Sequence, residues 1–95
     1  MRVRVATRVF GSEVTTELIR YYRSIDGSMR NAAKTLGVPY TVINENTQLL
    51  IDAGVVVRGR DVEDKRRYRH TVDETRLTEL ITAYMTYVKE PRATT

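Results

Sequence analysis

The chain has 95 residues and no cysteine, so it forms one domain near the size at which a single core needs outside support, and neither disulfides nor thiolate metal ligands can supply it. One histidine, no glycine-rich phosphate cradle and no apolar run of membrane-spanning length argue against an enzyme, a resident cofactor or metal, and a membrane protein; the expectation is a soluble, cytoplasmic chain. Sixteen Lys and Arg against twelve Asp and Glu leave a net charge of +4, which permits a nucleic-acid partner without requiring one.

Residues 1–11 read as an amino-terminal arm or strand. Arg and Val alternate through Arg2, Val3, Arg4 and Val5, the period of a strand, and the only partner in view is a hairpin further along the chain. A basic arm touching phosphates, or a frayed end with Val9 and Phe10 tucked in, are the competing readings. Ser12 then caps a helix from about Glu13 to Ile25, with Val14, Leu18, Tyr21, Tyr22 and Ile25 on its buried stripe and Arg20 and Arg23 outside it.

Asp26-Gly27-Ser28 ends that helix and a short one begins near Met29. Ala33 is small enough for two helices to cross closely, Gly37 can take the left-handed conformation that ends a helix, and Pro39 presets the first turn of the next. The next helix runs to Ala53. Val42, Ile43, Leu49, Leu50 and Ala53 form its apolar arc, Thr41, Asn44, Glu45, Gln48 and Asp52 occupy the opposite face, and Tyr40 sits on the flank. Gly54 stops the helix, and Val55-Val56-Val57-Arg58 reads as a strand.

Residues 58–71 read as two short strands around a polar, charged turn. Tyr68, His70 and Val72 fall on one side of the return strand, with Arg67, Arg69 and Thr71 on the other. Thr71-x-x-Glu74 fits a capping box for a last helix, where Leu77, Leu80, Ile81, Tyr84, Tyr87 and Val88 repeat at helical spacing to about residue 89. So continuous a stripe exceeds what one small domain can bury, so residues 73–90 are expected to pack against a second copy; the alternative is that the stripe covers the domain's own core. Residues 91–95 form a loose tail.

The ordered set of helix, turn, helix and hairpin over residues 12–72 resembles the winged helix-turn-helix of ArsR-type and MarR-type bacterial transcription regulators. Ala33, Leu36, Gly37 and Val38 are similar to the A-x-x-L-G-(V/L) lead-in to their recognition helix, and Ala53, Gly54, Val55 and Val56 to the A-G-(V/L)-(V/L) that follows it. Asp61, Asp64 and Arg66 are similar to the D-x-x-D-x-R wing turn of MarR-type proteins, and Phe10-Gly11-Ser12 to the L-G-(S/N) entry of ArsR-type domains. The resemblance implies a single domain, mainly α with a small β-hairpin wing (α+β), with double-stranded DNA as its partner and a homodimer built through terminal helices. The amino-terminal alternation departs from the family, whose members begin with a helix there.

Residues near the amino end of such a recognition helix reach base edges, so Tyr40, Thr41, Asn44, Glu45 and Gln48 are the candidate base readers. Asn and Gln can hold adenine in two places, Glu can accept from cytosine N4, and Thr or Tyr can touch a thymine methyl or a phosphate. From Thr35 to Val57 there is no Lys or Arg while Glu45 and Asp52 are acidic, so the helix region carries −2. Many relatives place an arginine near the position of Glu45. Attraction to phosphates must come from elsewhere: from Arg30 and Lys34, and from the wing, where Arg58, Arg60, Lys65, Arg66, Arg67 and Arg69 outnumber Asp61, Glu63 and Asp64 by three.

Leu77, Leu80, Ile81, Tyr84, Tyr87 and Val88 are the candidate dimer interface. Asn46, inside the apolar arc, is expected to bond a neighbouring backbone group or lie at the domain edge, with ligand sensing as the alternative. His70 reads as a surface or phosphate contact, with no second ligand type near it to build a metal site. The adopted reading is sequence-specific DNA binding by a small dimeric transcriptional regulator, a repressor that occludes its site, with any inducer at the dimer interface or between wing and helices. Its rival is a winged-helix protein-interaction module or adaptor, since fold alone does not assign function.

Overall fold

The computed structural model describes residues 2–25, 27–60, 63 and 68–91. Among them the order is α1 (Arg2–Phe10), α2 (Glu13–Ser24), α3 (Met29–Leu36), α4 (Tyr40–Asp52), β1 (Val56–Arg60), β2 (Tyr68–Val72) and α5 (Glu74–Lys89). The chain is mainly helical with one antiparallel hairpin, as the residue pattern and the resemblance imply.

The amino-terminal segment is a helix, which corrects the expectation of a strand or arm. Nine residues can satisfy two periods at once: Val5 and Val9 are four apart, as are Ala6 and Phe10, and these four face the core. Ala6 and Val9 are fully buried, and the Phe10 ring lies 5.5 Å from that of Tyr84 on α5. The partner of α1 is thus the element furthest from it in sequence. The Thr15 hydroxyl donates to the Val9 carbonyl and ties the start of α2 to the end of α1.

The helix ends follow local chemistry. Ser12 caps α2 and Ser28 caps α3, each accepting from the backbone N–H three residues on. Gly37, at φ 66°, closes α3, and Gly54, at φ 82°, follows α4, both in the left-handed region that favours glycine. On α2 the buried face is Thr15, Leu18, Ile19, Tyr21 and Tyr22. Ile25 leaves the expected stripe because the backbone becomes extended there (φ −137°, ψ 120°), and its side chain is half exposed. The fully buried alanine of α3 is Ala32, with Ala33 half-buried beside it.

The strands pair Val56 with Val72, Arg58 with His70 and Arg60 with Tyr68. Val55 and Val56 enter the core beside Leu18, Tyr22, Ile43, Leu50, Leu77 and Leu80. The cap of α5 is Asp73, whose carboxylate accepts from the Arg76 N–H at 3.0 Å; Thr71 lies in β2, so the capping box expected at Thr71 does not form. Two further bonds bind the start of α5 to the end of α4 and the residue that enters β1: Arg76 Nε donates to the Ala53 carbonyl at 2.8 Å, and the Asp73 N–H to the Val55 carbonyl at 2.8 Å.

Candidate nucleic-acid interface

Helix α4 divides cleanly into two faces. Ile43, Thr47 and Leu50, at spacings of four and three, are buried, with Val42, Asn46 and Leu49 half-buried at the margins. Thr47 is the member of this face that sequence reasoning missed. Its hydroxyl meets the Tyr22 hydroxyl at 2.9 Å, which satisfies both groups inside the core. Burial pushes the Tyr22 phenol above its usual range, against the opposing pull of that bond. Asn46 donates from Nδ2 to the Val42 carbonyl at 2.8 Å, the neighbouring backbone bond expected of it.

The opposite face carries Thr41, Asn44, Glu45 and Gln48, Tyr40 lies on its flank, and all five candidate readers are exposed. Gln48 donates from Nε2 to Asp52 Oδ1 at 2.9 Å, one turn further along. That bond uses one of the two amide N–H groups and leaves the other to donate and Oε1 to accept. With the exposed Glu45 carboxylate, this face offers both acceptors and a donor, the groups that base edges complement.

A cleft separates this helix from the wing. It is lined by Arg30, Asn31 and Lys34 of α3 together with Tyr40 of α4 and Tyr68 and His70 of β2. Arg30 and Lys34 are exposed, so both expected phosphate anchors on α3 lie at one cleft beside α4. On the wing, the guanidinium groups of Arg58 and Arg60 lie 5.3 and 5.2 Å from the centre of the Tyr68 ring. Arg69 is half-buried. Lys65, Arg66 and Arg67, and the Asp61, Asp64 and Arg66 turn pattern, lie outside the described residues.

Two wing residues stand elsewhere than expected. His70 is 1% exposed, not a surface contact. Its Nδ1 lies 3.0 Å from the Gly27 carbonyl and must carry the proton to donate to it; Nε2 then accepts from Arg58 Nε at 3.2 Å. The ring stacks on Tyr22 at 5.2 Å. Burial holds the imidazole below its usual pKa, the Gly27 bond opposes that shift, and Arg58 adds to it. Arg58 is correspondingly turned inward, half-buried against His70 and the Met29 sulfur, because it shares its side of the strand with Val56; it is not presented as a phosphate contact. Alternation places His70 on the same side of the return strand as Val72, which packs against the core, and this was the available signal.

On α5, Leu77 and Leu80 are buried in the chain's own core and so cannot also cover a second copy, which removes them from the expected dimer interface. Tyr84 packs on Phe10. Ile81, Met85, Tyr87 and Val88 remain exposed. Among the described residues no helix is long and apolar enough to cross a membrane, and no group of three or more His, Cys, Asp or Glu converges as a metal site would require.

No family model and no curated protein sequence matches the chain. Solved structures do. The transcriptional regulator BldR from Sulfolobus solfataricus superposes with a TM-score of 0.69 at 18% identity, over 92% of this chain and 63% of that one. A MarR family transcription regulator gives 0.66 at 18% identity, over 92% and 58%. A MepR variant of S. aureus bound to an oligodeoxyribonucleotide gives 0.58 at 14% identity, over 88% and 56%. The chain therefore spans between about half and two thirds of the length of these structures. Its fold is the winged helix-turn-helix of the MarR-type transcriptional regulators.

Proposed function

We propose that this chain binds double-stranded DNA sequence-specifically as a dimeric transcriptional regulator, and that it represses by occluding its site. The observation that carries this reading is the outward face of α4. Tyr40, Thr41, Asn44 and Glu45 are exposed on a helix whose other side is locked into the core, and cations flank that face: Arg30 and Lys34 across the cleft, Arg60 on the wing. A rigid helix with polar side chains at its amino end suits major-groove readout, and the flanking cations suit phosphates on either side. The MepR structure, solved with an oligodeoxyribonucleotide, supports the same reading by analogy of fold.

The dimer rests on α5, where Ile81, Met85 and Val88 recur at spacings of four and three on a face the chain itself leaves uncovered. Two copies related by a two-fold axis would present two copies of α4 to successive major grooves. Selection from a random duplex library is the test. Enrichment of a palindrome with half-sites one helical turn apart establishes the partner and the symmetry together; no enrichment at low salt rejects the reading.

One observation favours a second reading, a protein-interaction module. The α4 face carries Glu45 and Asp52 and no cation, which suits a basic protein surface as well as a DNA groove. That reading gains if the chain ignores every duplex.

A further inference from the structure

We infer that His70 is the positioning residue that sets the wing against the recognition helix. The inference deepens the DNA-binding reading and rests on it. One chain of contacts runs across the molecule. It starts at Arg58 on β1, whose Nε donates to His70 Nε2 at 3.2 Å. It passes through the His70 ring stacked on Tyr22 at 5.2 Å, and ends at the Thr47 hydroxyl, 2.9 Å from that of Tyr22, on the buried face of α4. A side branch holds the turn ahead of α3: the Gly27 carbonyl accepts from both the His70 backbone N–H, at 3.2 Å, and Nδ1, at 3.0 Å. Wing and helix entry therefore meet on one imidazole, buried and with both nitrogens engaged, and the recognition helix is reached one residue further on, through Tyr22.

The geometry admits only one protonation state. Nδ1 must donate to a carbonyl and Nε2 must accept from a guanidinium, so the ring works as the neutral Nδ1–H tautomer. A proton on Nε2 would set donor against donor. Arg58 on β1 opposes it, and the other cations lining the same cleft, Arg30 and Lys34 of α3, carry the same sign. From α2 and α4 the groups that face the ring and its stacking partner are neutral hydroxyls: the Tyr21 and Tyr22 phenols of α2, and Tyr40 and Thr47 of α4. Loss of the Nε2 bond frees Arg58 and lets the hairpin swing relative to α4. The core under α4, made by Ile43 and Leu50, is left intact.

Two substitutions in the full chain separate the halves of the clasp. In His70→Gln the longer amide reaches the Nε2 position and accepts from Arg58; in His70→Asn the shorter amide keeps a donor for Gly27 and abandons Arg58. One measurement is protection of the Arg58 Nε–H from solvent exchange, read by nitrogen-15 NMR on the free protein. The expected result is protection about tenfold lower in His70→Asn and within about threefold of wild type in His70→Gln. Acidification should abolish the protection in wild type and spare it in His70→Gln. The other measurement is duplex affinity at two salt concentrations. His70→Asn should bind all duplexes about tenfold more weakly with an unchanged ranking of sites, as loss of wing contacts requires. Equal protection in all three proteins would overturn the inference. So would equal loss in both variants together with equal falls in melting temperature, which would make His70 a packing residue only. A wild-type chain that binds no duplex would overturn the DNA reading instead, and the protection measurement would still decide the clasp.

Discussion

His70 is polar and buried, and the cost of that placement depends on pH. The fold lowers its pKa below the ordinary 6.5, chiefly by burial. Above 6.5 neither folded nor unfolded chain holds the proton; as pH falls through 6.5 the unfolded chain takes it up and the folded one does not. Stability from this residue is therefore full above 6.5 and lost between 6.5 and the lower folded value, at no more than about 1.4 kcal/mol per pH unit. Thermal melts of wild type from pH 7.5 downward should show a slope in that window that is absent in His70→Gln. Glu45 makes a different residue-scale prediction. An exposed carboxylate facing the groove is repelled by phosphates unless cytosine N4 meets it, so Glu45→Gln should tighten binding to random duplex and narrow the gap, by about 1–3 kcal/mol, between the best site and its cytosine-substituted variants. Equilibrium titration of both duplexes measures it. The exposure of the five candidate readers was legible because the helical period keeps them off the apolar arc. The inward role of Thr47 was not, since it depends on Tyr22 arriving from a helix 25 residues away.

At the scale of elements, boundaries were more legible than partners. Ser12, Ser28, Gly37 and Gly54 mark ends through bonds and dihedral angles that involve only their neighbours, and each acts where its chemistry allows. Helix α1 failed the same reading because its nine residues fit two periods, and its packing surface comes from α5, at the far end of the chain. The start of α5 was misread for a related reason: Thr71 and Asp73 are both good caps, and the pairing of Thr71 with Val57 in the hairpin decides between them. Helix α3 carries the element-scale prediction. Arg30 and Lys34 are exposed on the wall that faces the groove in the proposed complex, so Arg30→Ala with Lys34→Ala should weaken binding to every duplex alike. The slope of log affinity against log salt should flatten by about two, as loss of two phosphate contacts does, with base preference untouched. Binding measured from low to moderate salt checks this.

For the molecule as a whole, α5 wears two stripes that the sequence shows as one. Leu77, Leu80 and Tyr84 look inward to the core and α1, while Ile81, Met85 and Val88 look outward. Which half stays inside is settled by α1, whose own placement was hidden, and so the exposed face proposed for the dimer could not be separated from the core in advance. Ile81→Asp with Val88→Asp should give a folded monomer, with wild-type helical circular dichroism and half the sedimenting mass; a wild-type chain that sediments as a monomer at high micromolar concentration would remove the dimer from the proposal. The bonds that join α5 to α4 then acquire a metrical consequence. Arg76 holds the Ala53 carbonyl at the end of α4 at 2.8 Å, and Asp73 holds that of Val55 just beyond it, so the helix proposed to pair two copies is tied to the end of the helix proposed to enter the groove. Such a dimer is a ruler: its two reading heads stand at one separation, and an operator with one base pair too many between half-sites puts the second head about 36° out of phase on the duplex. Arg76→Ala should loosen the brace without altering either head, so selected sites should keep the wild-type half-site while spacers one base pair longer or shorter become acceptable.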